Sequence, residues 1–168
     1  MTRTNAREIA IHFIFELGFS QESAQGLLEE FLTPEAFARL GAEEPLYAQF
    51  PNMEQRQYIT TLVKGVEEHS AELDGYIGKY AIGWNLSRIP RVVVAILRVC
   101  MYEILYMQDV PNAAAINEAV ELTKHYEEQE LAAFVNGILG SFVRSEPLPE
   151  PGAPAPAADV FDAPEEEK

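Results

Sequence analysis

The residues that could do chemistry are few and scattered. Three histidines, His12, His69 and His125, fall on different helical segments, and no pair of them has metal-ligand spacing. Glu121 and His125 lie one helical turn apart and could share the edge of a metal site, but a solvent-exposed helix pair is the commoner outcome of that spacing. No serine sits in a nucleophile-elbow context. The Gly137-Ile138-Leu139-Gly140 stretch lies inside a helical pattern with no lysine beside it, so it is not a phosphate loop. The carboxylate pairs Glu29-Glu30 and Glu127-Glu128 read as solvated faces. Cys100 is the single cysteine and sits in an apolar run, which excludes an intramolecular disulfide and suggests a buried thiol. The expectation is a protein that is not an enzyme and needs no cofactor or metal.

Two polar residues stand out for their surroundings. Arg98 and Glu103 interrupt the apolar run Val92 to Met107. An unpaired buried charge is expensive, so each is expected to find a partner within the fold, with Glu118 a candidate for Arg98. That run is short for a membrane span and carries these charges, and the N-terminus has no apolar signal-peptide core, so a cytoplasmic protein is expected.

The elements that must position these groups are helical. No segment alternates with period two, and helical periodicity recurs along most of the chain. The first helix is expected from about Thr4 to Leu17, ended by Gly18. Ser20 is a candidate cap for the second, which carries Leu27, Leu28 and Phe31. Thr33-Pro34-Glu35 reads as a break and a fresh start, and Gly41 to Pro51 as a loop. Asn52 is a plausible cap for a third helix with Tyr58, Ile59, Leu62 and Val63, and a fourth covers Leu73, Ile77 and Tyr80. Trp84 is expected to plug the core from the connection that follows. Pro90 opens a fifth helix, apolar nearly all round and therefore central. The sixth carries Ile116, Ala119 and Val120, and the seventh Leu131, Phe134, Val135, Ile138 and Phe142. Gly137 and Gly140 are read there as permitting close helix packing.

Net charge is −15, which taken alone argues against nucleic acid. The distribution is uneven. Residues 146–168 hold seven of the 27 acids and one of the 12 bases, leaving 20 acids and 11 bases before them. Six prolines alternate there with Ala, Gly and acids, so residues 146–168 are expected to be a disordered acidic tail behind a helical domain spanning 1–145.

Three segments together resemble the NusB family. The first is Ala6-Arg7-Glu8 entering a helix that ends Phe13-Ile14-Phe15. The second is Ile96-Leu97-Arg98 followed by Tyr102-Glu103-Ile104. The third begins at Val110-Pro111, continues through Ala115-Ile116-Asn117-Glu118-Ala119-Val120-Glu121-Leu122 and closes on Phe134-Val135-Asn136-Gly137-Ile138-Leu139. Order and spacing fit from about Arg3 to Phe142. The resemblance implies an all-α fold of about seven helices in two packed helical subdomains. It also implies a transcription antitermination factor that binds boxA RNA together with NusE, a small-subunit ribosomal protein. Such a factor keeps RNA polymerase processive on rRNA genes alongside other Nus factors, with no part for DNA or a membrane.

Several residues suit that role. Arg3, Asn5 and Arg7 form the N-terminal arm, where arginine can clamp phosphates and stack on bases. The alternative for both arginines is a solvated arm, and the resemblance favours RNA contact. BoxA-type RNA is single-stranded and is read by stacking and by hydrogen bonds to base edges. Lys124 and Tyr126 offer a charge and a stacking face, and Asn136 a donor and an acceptor. Phe134 matches the family motif, with core packing an equal reading. Asn117 and Asn136 equally suit structural roles. Phe15 matches an aromatic position of the family's partner-binding face and is also a plain core residue. The acidic surface suits a basic protein partner.

The chain departs from the family in three places. Its arm has two arginines where several are common, Ala133 stands where a base is common, and Val93 stands early in the central helix where an acid is common. The first two imply weak, salt-sensitive RNA binding by the isolated chain. Two other readings remain: a helical interaction module without RNA binding, and an RNA-recognition domain like that of rRNA cytosine methyltransferases.

Overall fold

The structure is a computed structural model and describes residues 1–107 and 109–149. Most of the expected tail, residues 150–168, lies outside the described residues. Among the described residues there are eight α-helices, two 3-10 turns and no strand. The chain divides into two compact units, the first taking Met1–Glu67 and the second beginning at Glu68.

The first unit holds α1 (Arg3–Leu17), α2 (Ala24–Phe31), α3 (Pro34–Gly41) and nearly all of α4 (Met53–Glu68). The expected seven helices become eight because the fresh start at Thr33-Pro34 is a helix of its own. Thr33 is extended and its side chain accepts the Ala36 N–H, while Pro34 occupies the first turn. The α2 cap is Ser23 rather than Ser20. Ser23 has the extended backbone of a cap and accepts from Gly26 N, whereas Ser20 accepts from Glu22 N ahead of the helix. Asn52 does open α4, through a reciprocal box: Asn52 Oδ1 accepts the Gln55 N–H and Gln55 Oε1 accepts the Asn52 N–H, both at 2.9 Å. The Gln55 amide then donates to the Met1 carbonyl, so one buried side chain fastens α4 to the start of the chain.

The segment read as a loop contains the 3-10 turn Pro45–Tyr47 and the end of α3. Tyr47 and Phe50 meet Phe37 edge-on at 5.1 and 5.2 Å. Gly41 is required there, because a Cβ would lie 2.8 Å from the Tyr47 carbonyl oxygen. Burial pushes the Tyr47 hydroxyl well above its ordinary range, with Glu44 adding to the shift, and that hydroxyl lies 2.8 Å from His12 Nδ1.

The second unit packs α5 (Ser70–Tyr80), α7 (Asn112–Tyr126) and α8 (Gln129–Ser145) around α6 (Arg91–Tyr106). As its composition suggests, α6 buries residues on nearly every side, from Val93 to Ile104. Arg98 is answered by Asp74 of α5 rather than by Glu118. Its Nε and Nη2 donate to the two carboxylate oxygens, each at 2.7 Å. Glu103 is fully buried, and no buried side-chain nitrogen or oxygen among the described residues lacks a hydrogen-bond partner. At the far end of α5, Glu146 accepts from Lys79 at 2.7 Å and from the Tyr80 hydroxyl. These contacts hold the Glu146 carboxyl below its usual pKa. Gly137 and Gly140 do not serve close packing: a Cβ at Gly137 would meet nothing within 4 Å, and at Gly140 only the flexible Arg144 side chain.

The Arg98–Asp74 pair is about a quarter exposed, which places it between a screened surface pair and a buried one. Asp74→Ala is expected to cost about 2 kcal/mol in urea unfolding, because it strands the guanidinium on an apolar helix. Glu118→Ala leaves that pair intact and is expected to cost much less. Equal losses for the two would show that Asp74 is not the partner.

Candidate RNA and partner surface

The sequence-derived site residues divide between the two units. In the first unit the expected arm is helix, since α1 begins at Arg3 with Thr2 as its cap. Arg3 lies over the Tyr58 ring of α4, 5.1 Å from its centroid, in a cation–π contact. Asn5 is exposed. Arg7 is 4 % exposed and belongs to the inner face of α1 with Ala6, Ala10 and Ile14. The helix thus turns the Arg7 side chain inward, where the sequence reading had it in an exposed arm. Phe15 is half-buried and meets Phe19 edge-on at 4.9 Å, and Phe19 is 61 % exposed. Phe15 near the end of α1 and Phe19 just beyond it thus form an aromatic pair that is exposed at Phe19.

In the second unit, α7 and α8 pack together and are joined only by Glu127 and Glu128, so they form a helical hairpin. Lys124 and Tyr126 end α7. The exposed ammonium of Lys124 is 3.2 Å from Glu121, so that carboxylate faces a cation. Among the described residues no group of three or more His, Cys, Asp or Glu could hold a metal ion. Tyr126 meets the His125 ring edge-on at 4.9 Å. Basic residues at this end also complement the partial negative charge of the helix C-terminus.

Phe134 and Asn136 lie in the first half of α8. The core of that helix is Ala132, Val135, Ile138, Leu139 and Phe142, and Phe134 falls outside it. It is half-buried, 4.9 Å from the ring of Trp84. Asn136 and Asn117 are both exposed. Lys124 and Tyr126 of α7 and Phe134 and Asn136 of α8 thus belong to the same hairpin.

Trp84 was missed as a surface residue. It does not plug the core but is 46 % exposed. The signal lay in Gly83, which has φ +83° and closes a turn in which Trp84 N–H donates to the Ala81 carbonyl. A tight turn immediately before the ring carries it outward.

The model of the NusB family matches residues 4–144. The chain belongs to the NusB family. Among NusB relatives, the transcription antitermination protein NusB of Acetivibrio thermocellus is 39 % identical over 144 residues, covering 86 % of this chain and 90 % of the relative. That of Thermoanaerobacter sp. strain X514 is 37 % identical over 150 residues, covering 89 % and 96 %. The NusB fold is also found in the solved structure of T. maritima NusB, at TM-score 0.72 and 25 % identity, covering 86 % of this chain and 92 % of that one. A crystal structure of the antitermination factors NusB and NusE with double-stranded RNA matches at TM-score 0.69 and 21 % identity, covering 86 % and 97 %.

Proposed function

We propose that this protein is a transcription antitermination factor that binds boxA-type RNA together with NusE and acts without catalysis. The observation that carries the reading is the α7–α8 hairpin. It carries an exposed cation and an exposed amide, Lys124 and Asn136, and two half-buried rings, Tyr126 and Phe134, of which Phe134 and Asn136 lie in the stretch that resembles the family motif. Its relatives are named transcription antitermination proteins and are matched over 90 % or more of their length. That favours this reading over the RNA-recognition domain of a methyltransferase. A protein of the same fold has been solved with NusE and RNA. NusE is the proposed protein partner, docked on the aromatic end of α1 at Phe15, and a net charge of −15 suits a basic protein. The proposed place of action is the cytoplasm, where the transcribing polymerase is. Among the described residues no helix is long and apolar enough to cross a membrane.

The test is binding of labelled boxA RNA against a scrambled RNA, with and without NusE, at several salt concentrations. Preference for boxA that strengthens with NusE is expected. Three phosphate contacts to a single strand predict an affinity loss of about 20-fold between 50 and 200 mM salt. Tight boxA binding by the lone chain, unmoved by salt, contradicts the few exposed cations. No boxA preference with NusE bound leaves an interaction module without RNA function.

A further inference from the structure

Two apolar side chains stand exposed on the connection between α5 and α6, Ile82 at 88 % and Trp84 at 46 %. Water is a poor solvent for such groups, and adjacent exposed hydrophobics mark a contact surface. The connection is held by its own bonds. Gly83 supplies the positive φ, Trp84 N–H closes on Ala81, and the Asn85 side chain accepts the Ser87 N–H. The indole is backed on one side by the Phe134 ring at an interplanar angle of 47°. One turn along α8 from Phe134, Gly137 adds no side chain, and a Cβ there would find open space.

Charge identifies the occupant. The chain has 27 acids in 168 residues, yet residues 75–102 contain none and carry Lys79, Arg88, Arg91 and Arg98. The second-longest acid-free run is 131–145, which carries Arg144. The Trp84–Phe134 contact joins these two runs. Arg98 and Lys79 are engaged by Asp74 and Glu146, while Arg88 and Arg144 remain exposed. The connection itself, residues 81–90, carries no acid to attract a basic protein partner, and Glu130 stands one turn before Phe134 on α8. A flat aromatic face with the exposed Arg88 guanidinium on the same connection fits a stacked base with a flanking phosphate.

We infer that Trp84 is a stacking platform for a base of single-stranded RNA, extending the RNA surface from Phe134 onto the α5–α6 connection, with Arg88 taking a neighbouring phosphate. The inference rests on the RNA-binding reading above and goes beyond it by adding the connection to the hairpin.

Trp84 is the only tryptophan, so its emission reports on this spot alone. With the full chain and NusE, labelled boxA RNA is followed by anisotropy while Trp84 fluorescence is recorded. Quenching that saturates with RNA binding is expected. Trp84→Ala should weaken binding roughly tenfold, and Trp84→Phe, which keeps a ring, should lose less. Thermal unfolding of both variants separates a lost contact from a lost fold, and the wild-type quenching needs no variant. RNA that binds while the emission stays unmoved, with Trp84→Ala binding as wild type, overturns the platform and leaves the antitermination reading standing. An emission change on adding NusE alone, with none on adding RNA, assigns the patch to the protein partner and overturns it as well. No RNA binding of any kind defeats both readings.

Discussion

Phe142→Ala is expected to lower the unfolding free energy by about 3–5 kcal/mol, the largest effect of any substitution considered for this protein. Phe142 is fully buried, and the rings of Tyr76 and Tyr80 approach it edge-on at 5.0 and 6.2 Å. Truncation removes an aromatic side chain and its dispersion contacts and leaves a cavity that α5 and α8 cannot close. Just beyond α8, Glu146 ties the two helices together through Lys79 and Tyr80 of α5. Urea unfolding measures the loss, and the melting temperature should fall by about 10 °C. A cost below about 1 kcal/mol would mean that this end of α8 does not pack on α5. Because the same face of α8 sets the orientation of Phe134 and Asn136, RNA binding should weaken as well, although Phe142 touches no RNA.

Arg7→Ala is expected to cost about 3 kcal/mol of stability. A guanidinium that is 4 % exposed has been removed from water and depends on the groups around it. Its loss leaves the groups around it unanswered on a helix that also carries Phe15. The substitution therefore tests position rather than RNA contact: any loss of RNA affinity should track the loss of folded protein. Arg3→Ala, outside that inner face, is the cleaner probe of the N-terminal charge and should cost little stability. Unchanged unfolding of Arg7→Ala together with abolished RNA binding would reverse this assignment and return Arg7 to the phosphate-clamping role.

Helix positions were legible because caps and periodicity are local. Asn52 and Gln55 lie three residues apart and bond each other. Thr33-Pro34 announced a new helix, and only its separate count was missed. The central place of α6 followed from an apolar surface that no single neighbour could cover. Phe134, undecided between core and surface, lies outside the α8 core.

Side-chain partners and exposure were not legible, because they depend on which helices meet. Arg98 needed a carboxylate, and the sequence pointed to Glu118 of α7, whereas the packing of α5 on α6 supplies Asp74. Arg7 belongs to a short basic arm in one dimension and to a buried helix face in three. Gly137 and Gly140 suggested close packing and face open space or a flexible side chain. Trp84 suggested a core plug, since indole is large and apolar, but the turn at Gly83 carries it to the surface.

By itself the sequence determined the helical class, most of the helices in their order and the family, because each of these is written in short-range patterns. Only the tertiary structure decided which charges pair, which arginine is buried and which rings remain exposed. Those outcomes depend on contacts between residues far apart in the chain, and desolvation and ion pairing act only once those residues are brought together.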